Sequence, residues 1–378
     1  MTEQHTLAAK PRLLSLDVFR GITVMAMILV NNPGSWGHIY APLEHAEWNG
    51  CTPTDLVFPF FLFIVGVSIV YAMETKKADP ANHTGLMLKA LKRALIIFGL
   101  GLFMSTFWIW DLSTIRIPGV LQRIAFVYLI SSLIYIKSGT RAQAIILPLV
   151  LILYFVLMTM VPVPGHGAPN LQPETNLGAW LDRTVFTTAH LWKASVTWDP
   201  EGLLSSMPAI GTCLMGILTG TLLKRKDRTD NQKLTYLLIA GLAGIVLGQL
   251  WNIWFPINKS LWTSSYVLYA GGLAIWALAL CYWLIDVKGY RRFTKPFLVY
   301  GVNAITVFVG SGLSARAMNK IKVNYQGKET SLSSKLYQQF FEPYFEPLNA
   351  SLAWAICYVL VWMIILWIMY NRKIFVKI

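Results

Sequence analysis

LVNNPGSWGHIYAPLEHAEWNGCTPTDLVFPFFLFIVGVSIVYAM, residues 29–73, runs from a polar loop straight into an apolar segment. Between Leu56 and Met73 there is no Asp, Glu, Lys or Arg, and an uncharged stretch of that length is what a helix needs to cross a hydrocarbon core of roughly 30 Å. Nine further windows resemble this one at 54–74: 13–32, 89–107, 118–137, 142–161, 203–223, 234–254, 262–285, 296–316 and 350–370. The predicted fold class is all-α, a polytopic membrane protein of about ten transmembrane helices forming one membrane-embedded domain over 1–378. Composition agrees, with 55% of residues hydrophobic and 13% charged, whereas soluble domains are about a quarter charged. The first window is expected to be a retained helix rather than a leader, since Asp17 and Arg20 interrupt its start and no small-residue cleavage site follows.

Charge orients the chain. Of its 32 Lys and Arg residues, 22 fall in alternate loops and at the two ends, from Lys10, Arg12 and Arg20 to Arg372, Lys373 and Lys377. Basic loops stay on the side where they are made. Both termini are therefore predicted to be cytoplasmic, the membrane to be a bacterial inner membrane, and the loops near 33–53, 162–202 and 317–349 to be periplasmic. The net charge of +14 is spread over short loops without a binding motif, which argues against nucleic acid as a partner while suiting a polyanionic nucleotide.

Cys51, Cys213, Cys281 and Cys357 show no CxxC spacing, so neither a disulfide framework nor a metal site is implied. Cys51 reads as a small packing residue. The 162–202 loop carries Trp180, Trp192 and Trp198 beside His166, His190, Asp182, Asp199 and Glu201. Aromatic faces beside carboxylates suit an amino sugar, and equally an interfacial aromatic belt.

Several segments, in this order, carry a resemblance: SLDVFRG at 15–21, LVN at 29–31, HAEWNG at 45–50, DLVFPFFLFIVG at 55–66, RIPGVLQRIA at 116–125, PEGLLSSMPAIGTCLMGILTG at 200–220, FPINKSLWTSSYVL at 255–268 and YGVNAITVF at 300–308. The chain resembles the heparan-α-glucosaminide N-acetyltransferase family, the lysosomal enzyme and its bacterial relatives, over nearly the whole membrane domain. The resemblance implies transfer of acetyl from cytoplasmic acetyl-CoA to the amine of a glucosamine-type sugar on the far side. The lysosomal enzyme's additional N-terminal luminal region and span have no counterpart in this reading, so heparan itself is not implied.

By the same resemblance His45 is the catalytic histidine and Asn31 its polar partner. The chemistry fits these residue types. An amine attacks a thioester only when neutral, and the tetrahedral intermediate must lose a proton, so an imidazole is a suitable base, while an amide can donate to the developing oxyanion. His38 lacks the HAEWNG context. Asp55 is expected to cap the second helix or to orient the imidazole, with capping preferred.

Arg20, Arg123 and Gln122 are predicted to serve the acyl donor, Arg123 because it lies within an apolar window; an ion pair locking helices is its alternative. Trp48, Asn49 and Asp55, with Asn258, Lys259 and Trp262 from the turn after the seventh window, are predicted to build the sugar site. Asn303 is expected to satisfy a buried polar group. The predicted partners are a small-molecule acyl donor, a sugar acceptor and membrane lipid, with homo-oligomerisation left open. Two competing functions remain at this point: an amino-sugar transporter, and an O-acyltransferase acting on a polysaccharide or lipid-linked glycan.

Overall fold

The computed structural model describes residues 13–376; Lys10, Arg12 and Lys377 lie outside them. Helices dominate: α1 (Leu14–Asn31), α2 (Val57–Lys77), α3 (His83–Thr106), α4 (Val120–Lys137), α5 (Thr140–Met160), α6 (Leu177–Phe186), α7 (Ser206–Lys224), α8 (Asp230–Trp251), α9 (Ser264–Tyr282), α10 (Lys295–Val302) and α11 (Ala304–Lys320) come first. A short antiparallel hairpin, β1 (Lys322–Tyr325) and β2 (Lys328–Ser331), then leads to α12 (Leu332–Phe340) and α13 (Pro347–Asn371). The 317–349 segment is therefore structured rather than an open loop.

Eight helices among the described residues are long and apolar enough to span a membrane, and α10 with α11 makes a ninth if that pair, bent by 79°, is one span. The third window differs from the expectation. Its helix α3 carries Lys89, Lys92 and Arg93, which lower its apolarity, yet it still runs from one face of the bundle to the other. Its first residue, His83, bonds the Lys77 carbonyl at 3.0 Å, and at its far end Arg316 of α11 donates to the Met104 carbonyl.

Cross-links at both ends define two faces. On the basic face, Lys77 donates to the Ser138 carbonyl at 2.8 Å, the Ser15 N–H donates to Asp286 at 3.2 Å and Tyr282 donates to Asp230 at 2.6 Å, while Lys224 pairs with Glu74. On the opposite face, the Gly34 N–H donates to the Ser351 carbonyl at 3.3 Å and the Gly50 N–H to the Ile257 carbonyl at 2.7 Å. The basic turns of α2–α3, α4–α5, α7–α8 and α9–α10 thus gather at one end of a multi-pass membrane protein.

Helix α7 is the central post, 78% buried over its most apolar window, whereas the corresponding windows of α5, α8 and α13 are 22% buried and present apolar side chains outward. That outward face suits lipid, where helices associate through close van der Waals packing rather than hydrophobic burial. Small residues allow it. A Cβ on Gly66 of α2 would collide with the Cys213 carbonyl of α7, and one on Gly216 with the Phe63 carbonyl, so these two glycines set the α2–α7 contact.

The break between α10 and α11 falls at Asn303, which is fully buried. Its side-chain amide donates to the Ile374 carbonyl at 3.2 Å and accepts from the Val376 N–H at 3.1 Å. The expected satisfaction of a buried polar group is met by backbone. Irregular backbone at membrane depth needs such partners because no water supplies them.

Candidate active site

The loop between α1 and α2 is held at both ends. Near its start it is tied to α13 through Gly34 and Ser35, whose N–H donates to the Ser351 hydroxyl at 3.1 Å. Near its end, the Gly50 to Ile257 bond pins it to the α8–α9 turn, and Gly50 adopts φ +113°, a conformation L side chains rarely adopt. Between these anchors lies His45.

Asp55 organises this loop from the single-turn helix Thr54–Leu56 that opens α2. It is 1% exposed. One carboxylate oxygen meets His45 Nδ1 at 2.7 Å, and the other accepts from the N–H groups of Ala46 and Thr52 at 3.0 Å each and from the Thr52 hydroxyl at 3.1 Å. No side chain caps α2, so the preferred expectation of a helix cap gives way to the other one: Asp55 orients the imidazole. A carboxylate only accepts, so the bond to Asp55 places a proton on Nδ1, and in the neutral imidazole Nε2 then offers its lone pair. The His45 side chain is 49% exposed, so the ring is accessible from outside.

Lys259 reaches the same group from the α8–α9 turn. Its Nζ lies 3.2 Å from Nδ1 and 3.3 Å from Nε2 of His45, and 3.8 Å from Asp55 Oδ1. Burial pushes the Lys259 ammonium below the ordinary lysine range. Burial likewise pushes the neighbouring Cys51 thiol up to about 12, which makes Cys51 a poor nucleophile.

The other residues expected at the sugar site divide into two groups. Trp48 is half-buried, donates from Nε1 to the Leu171 carbonyl at 3.0 Å and sets its ring edge-on to Trp198 at 5.1 Å; Trp198 in turn meets Trp192 at 6.1 Å. Three indoles thus pack edge-on in series from Trp48, three residues after His45. Asn49 is exposed and accepts from Asn258 at 3.3 Å. Asn258 itself is fully buried and holds the turn, accepting from the Leu261 N–H at 2.8 Å. Trp262 is 1% exposed and bonds Thr212 at 3.1 Å, so it stands behind the site as packing.

A second ionic group lies beside the first. Arg116 donates two bonds to Asp199, at 2.8 and 2.6 Å, and a third to Glu201. Although burial opposes its charge, these two carboxylates hold the Arg116 guanidinium above its ordinary range. Asp182 accepts from the Leu203 N–H at 2.8 Å, and burial pushes its carboxyl up to about 7.

Arg123 is 2% exposed. It donates to the Gly202 carbonyl at 3.2 Å and to the Ser205 hydroxyl, and stands 5.0 Å over the Trp262 ring, while its Nε and Nη1 have no hydrogen-bond partner among the described residues.

A cavity of about 390 Å³ opens between α1, α2, α3, α4, α10 and α11, within the usual range for small-molecule sites. Phe58, Ile124 and Phe308 are among its apolar walls; Arg20, Ser68 and Arg93 supply its polar groups. Arg20 is steadied by Asp17 at 2.9 Å and Ser68 at 2.9 Å. On α4 the residues facing this cavity are Val120, Leu121, Ile124 and Tyr128. Arg123 and Gln122 point elsewhere, Gln122 into the space left by Gly101 and Gly119. Of the three residues expected to serve the donor, Arg20 alone lines the cavity. Arg93, exposed and 5.0 Å over the Tyr128 ring, is a lining residue that sequence reasoning passed over as a topological charge.

Asn31 is exposed at the end of α1, and no hydrogen bond links it to His45, Asp55 or Lys259 among the described residues. His38 is also exposed, 3.3 Å from the Ser35 hydroxyl.

Comparison with known proteins gives a consistent result. A family described as heparan-alpha-glucosaminide N-acetyltransferase, catalytic, matches residues 12–253. The human protein named heparan-alpha-glucosaminide N-acetyltransferase is 28% identical over 426 residues, covering 98% of this chain; the mouse protein of the same name is 28% identical over 419 residues, covering 97%. The chain spans 60% of the length of each.

Proposed function

Since the chain belongs to the heparan-α-glucosaminide N-acetyltransferase catalytic family, we propose that it transfers acetyl from acetyl-CoA to the amine of a glucosamine-type sugar across the membrane. The observation that carries this reading is His45: its Nδ1 is engaged by buried Asp55 at 2.7 Å and its side chain is half exposed. Such a histidine is oriented for proton removal from an incoming amine. The Trp48, Trp198 and Trp192 rings offer apolar faces to a sugar at the same mouth.

Acetyl-CoA enters from the basic face, taken as cytoplasmic. Arg20 and Arg93 attract its phosphates, and the apolar walls of the cavity accept its pantetheine arm. Phe58 both lines that cavity and packs edge-on at 5.1 Å against Trp262, directly behind the His45 site. Donor and acceptor therefore approach from opposite faces. The family resemblance points Asn31 toward the reacting carbonyl, but among the described residues it makes no hydrogen bond to the His45 group, so the step does not depend on it; the bacterial inner membrane is the proposed location.

The test is direct. Purified protein in lipid nanodiscs is given acetyl-CoA and a panel of glucosamine-containing acceptors, and the products are read by mass spectrometry. An N-acetylated product that His45→Ala does not form supports the reading; an O-acetylated product changes the acceptor group. The broken α10–α11 span is the one observation that favours a carrier, and accumulation of unmodified labelled sugar in sealed vesicles would decide for it.

A further inference from the structure

We propose that Lys259 is a catalytic group of the acetyl transfer, its ammonium meeting the negative charge that develops on the thioester carbonyl oxygen. This assignment rests on the acetyltransferase reading and gives Lys259 a role other than sugar binding. Its geometry carries the argument. Nζ is nearly equidistant from the two ring nitrogens of His45, at 3.2 and 3.3 Å. An atom in the ring plane at those distances would overlap Cε1, so Nζ stands over the face of the imidazole. It therefore does not use the Nε2 lone pair, which stays free for the amine proton.

A reacting atom within hydrogen-bond reach of Nε2, about 3 Å, then lies on the same side of the site as Nζ, and its carbonyl oxygen is within the lysine's reach. The charge is not already spent. Among the described residues Asp55 is the one carboxylate within 4 Å, at 3.8 Å, beyond hydrogen-bond distance, and both of its oxygens are engaged by His45, Ala46 and Thr52. Holding an ammonium only 19% exposed is unfavourable unless a negative group meets it. A preorganised donor of this kind is typically worth about 10²- to 10³-fold in rate. Asn31, assigned to the carbonyl by family resemblance, has no hydrogen bond to this group among the described residues.

The step balances. The amine nitrogen bonds the carbonyl carbon, the carbonyl π pair moves onto oxygen, and the amine proton passes to His45 Nε2. The oxygen pair then restores the carbonyl, the carbon–sulfur bond breaks, and sulfur takes the proton from His45 to leave as the thiol. Lys259 donates a hydrogen bond to the oxygen throughout and keeps its own proton.

Charged and titratable groups face Lys259 from every side: His45 and Cys51 from the α1–α2 loop, Asp55 at the entry of α2, Arg123 from α4 and Glu201 ahead of α7. Tyr266 of α9 donates to the Asp55 carbonyl. Burial and Arg123 weaken the ammonium's hold on its proton, while Glu201 and Asp55 oppose them. Turnover that needs the ammonium is therefore lost as pH rises through a value below that of an ordinary lysine, and arginine at this position, which keeps its proton, moves that loss to higher pH.

The experiment measures kcat and KM for acetyl-CoA from pH 6 to 10 for the native protein, Lys259→Met and Lys259→Arg in nanodiscs, with the acceptor that the native protein acetylates fastest. Lys259→Met is expected to lower kcat about 10²- to 10³-fold with KM little changed, and Lys259→Arg to restore part of kcat with the alkaline limb displaced upward. The assignment is overturned if Lys259→Met turns over within threefold of native, or if Lys259→Arg keeps the native alkaline limb. Should Lys259→Met not fold, the limb of Lys259→Arg decides alone. A native protein that acetylates no acceptor overturns the function reading, and this assignment with it; an active native protein with unmoved variants overturns this assignment only.

Discussion

Two ionic groups sit side by side on the face opposite the basic one, and they use charge differently. Around Arg116, the guanidinium makes three charge-assisted bonds to Asp199 and Glu201, a bidentate fork of the kind that fixes geometry. Around His45, the only hydrogen-bonded carboxylate among the described residues is Asp55, the imidazole is half exposed, and Lys259 stands 3.8 Å from Asp55 without a tight pair. The first group commits its guanidinium to two carboxylates and serves as scaffold. The second keeps an open lone pair and a charge not held in a close pair, at a cost in stability that a purely structural cluster would have no reason to bear.

That contrast is most exposed to His45→Ala. Loss of a positioned base should lower turnover about 10²- to 10⁴-fold, with acetyl-CoA affinity by titration calorimetry near native and thermal stability lowered only by the one hydrogen bond Asp55 loses, about 1–3 kcal/mol. His38→Ala should turn over normally. Native turnover by His45→Ala would erase the distinction between the two groups.

Next in size is Arg116→Met, which leaves Asp199 and Glu201 buried without their shared cation. Breaking a buried pair from one side is worth about 3–5 kcal/mol, so the midpoint of thermal unfolding should fall sharply. Arg123→Met is the matched control. Having no carboxylate in ion-pair contact among the described residues and two unpartnered nitrogens, it should be near neutral or slightly stabilising. Equal losses in both would mean that Arg123 is as much scaffold as Arg116.

Asp182 tests the scaffold by pH. Its folded carboxyl, pushed up to about 7 from 3.8 by burial, holds its proton more tightly than in the unfolded chain. Stability from this group is full below about 3.8 and is lost as pH rises through about 7, by up to about 4 kcal/mol. Asp182→Asn should flatten that slope in thermal unfolding from pH 4 to 8. An unchanged slope would assign the dependence to another group.

The smallest expected effect is Asn31→Ala, about tenfold or less in kcat, since Asn31 makes no bond to the His45 group among the described residues. A loss beyond 100-fold would show that the α1–α2 loop carries Asn31 into the site during turnover.

Much of this was legible in the sequence. Uncharged windows such as Leu56–Met73 give spans, and alternate basic loops give two faces. Where reading failed, the reason was direction rather than depth. Arg123 stands out within its window, but one residue along a helix turns a side chain by about 100°, and a single sequence did not say that Ile124 faces the cavity while Arg123 faces Ser205. Asp55 was ambiguous because an acid at a helix entrance serves a cap and an imidazole equally well until the donors are located. That Lys259 shares a site with Trp48, Asn49 and Asp55 is read from the sequence, but its place against the His45 ring is not, because that depends on the backbone bond from Gly50 to Ile257, which no local pattern encodes. The third window reads as a span despite Lys89, Lys92 and Arg93, and α3 does form there, with Arg93 set over the Tyr128 ring.

That Gly50 to Ile257 bond also sets a clock. About 200 residues separate its partners, and at a synthesis rate of roughly 5–20 residues per second the loop bearing His45 leaves the ribosome on the order of 10–40 s before the turn bearing Lys259. During that interval the first helices are in the membrane with His45 and Asp55 but without the segment that pins their loop. The His45–Lys259 arrangement is thus born in two instalments, complete only when α8 and α9 arrive.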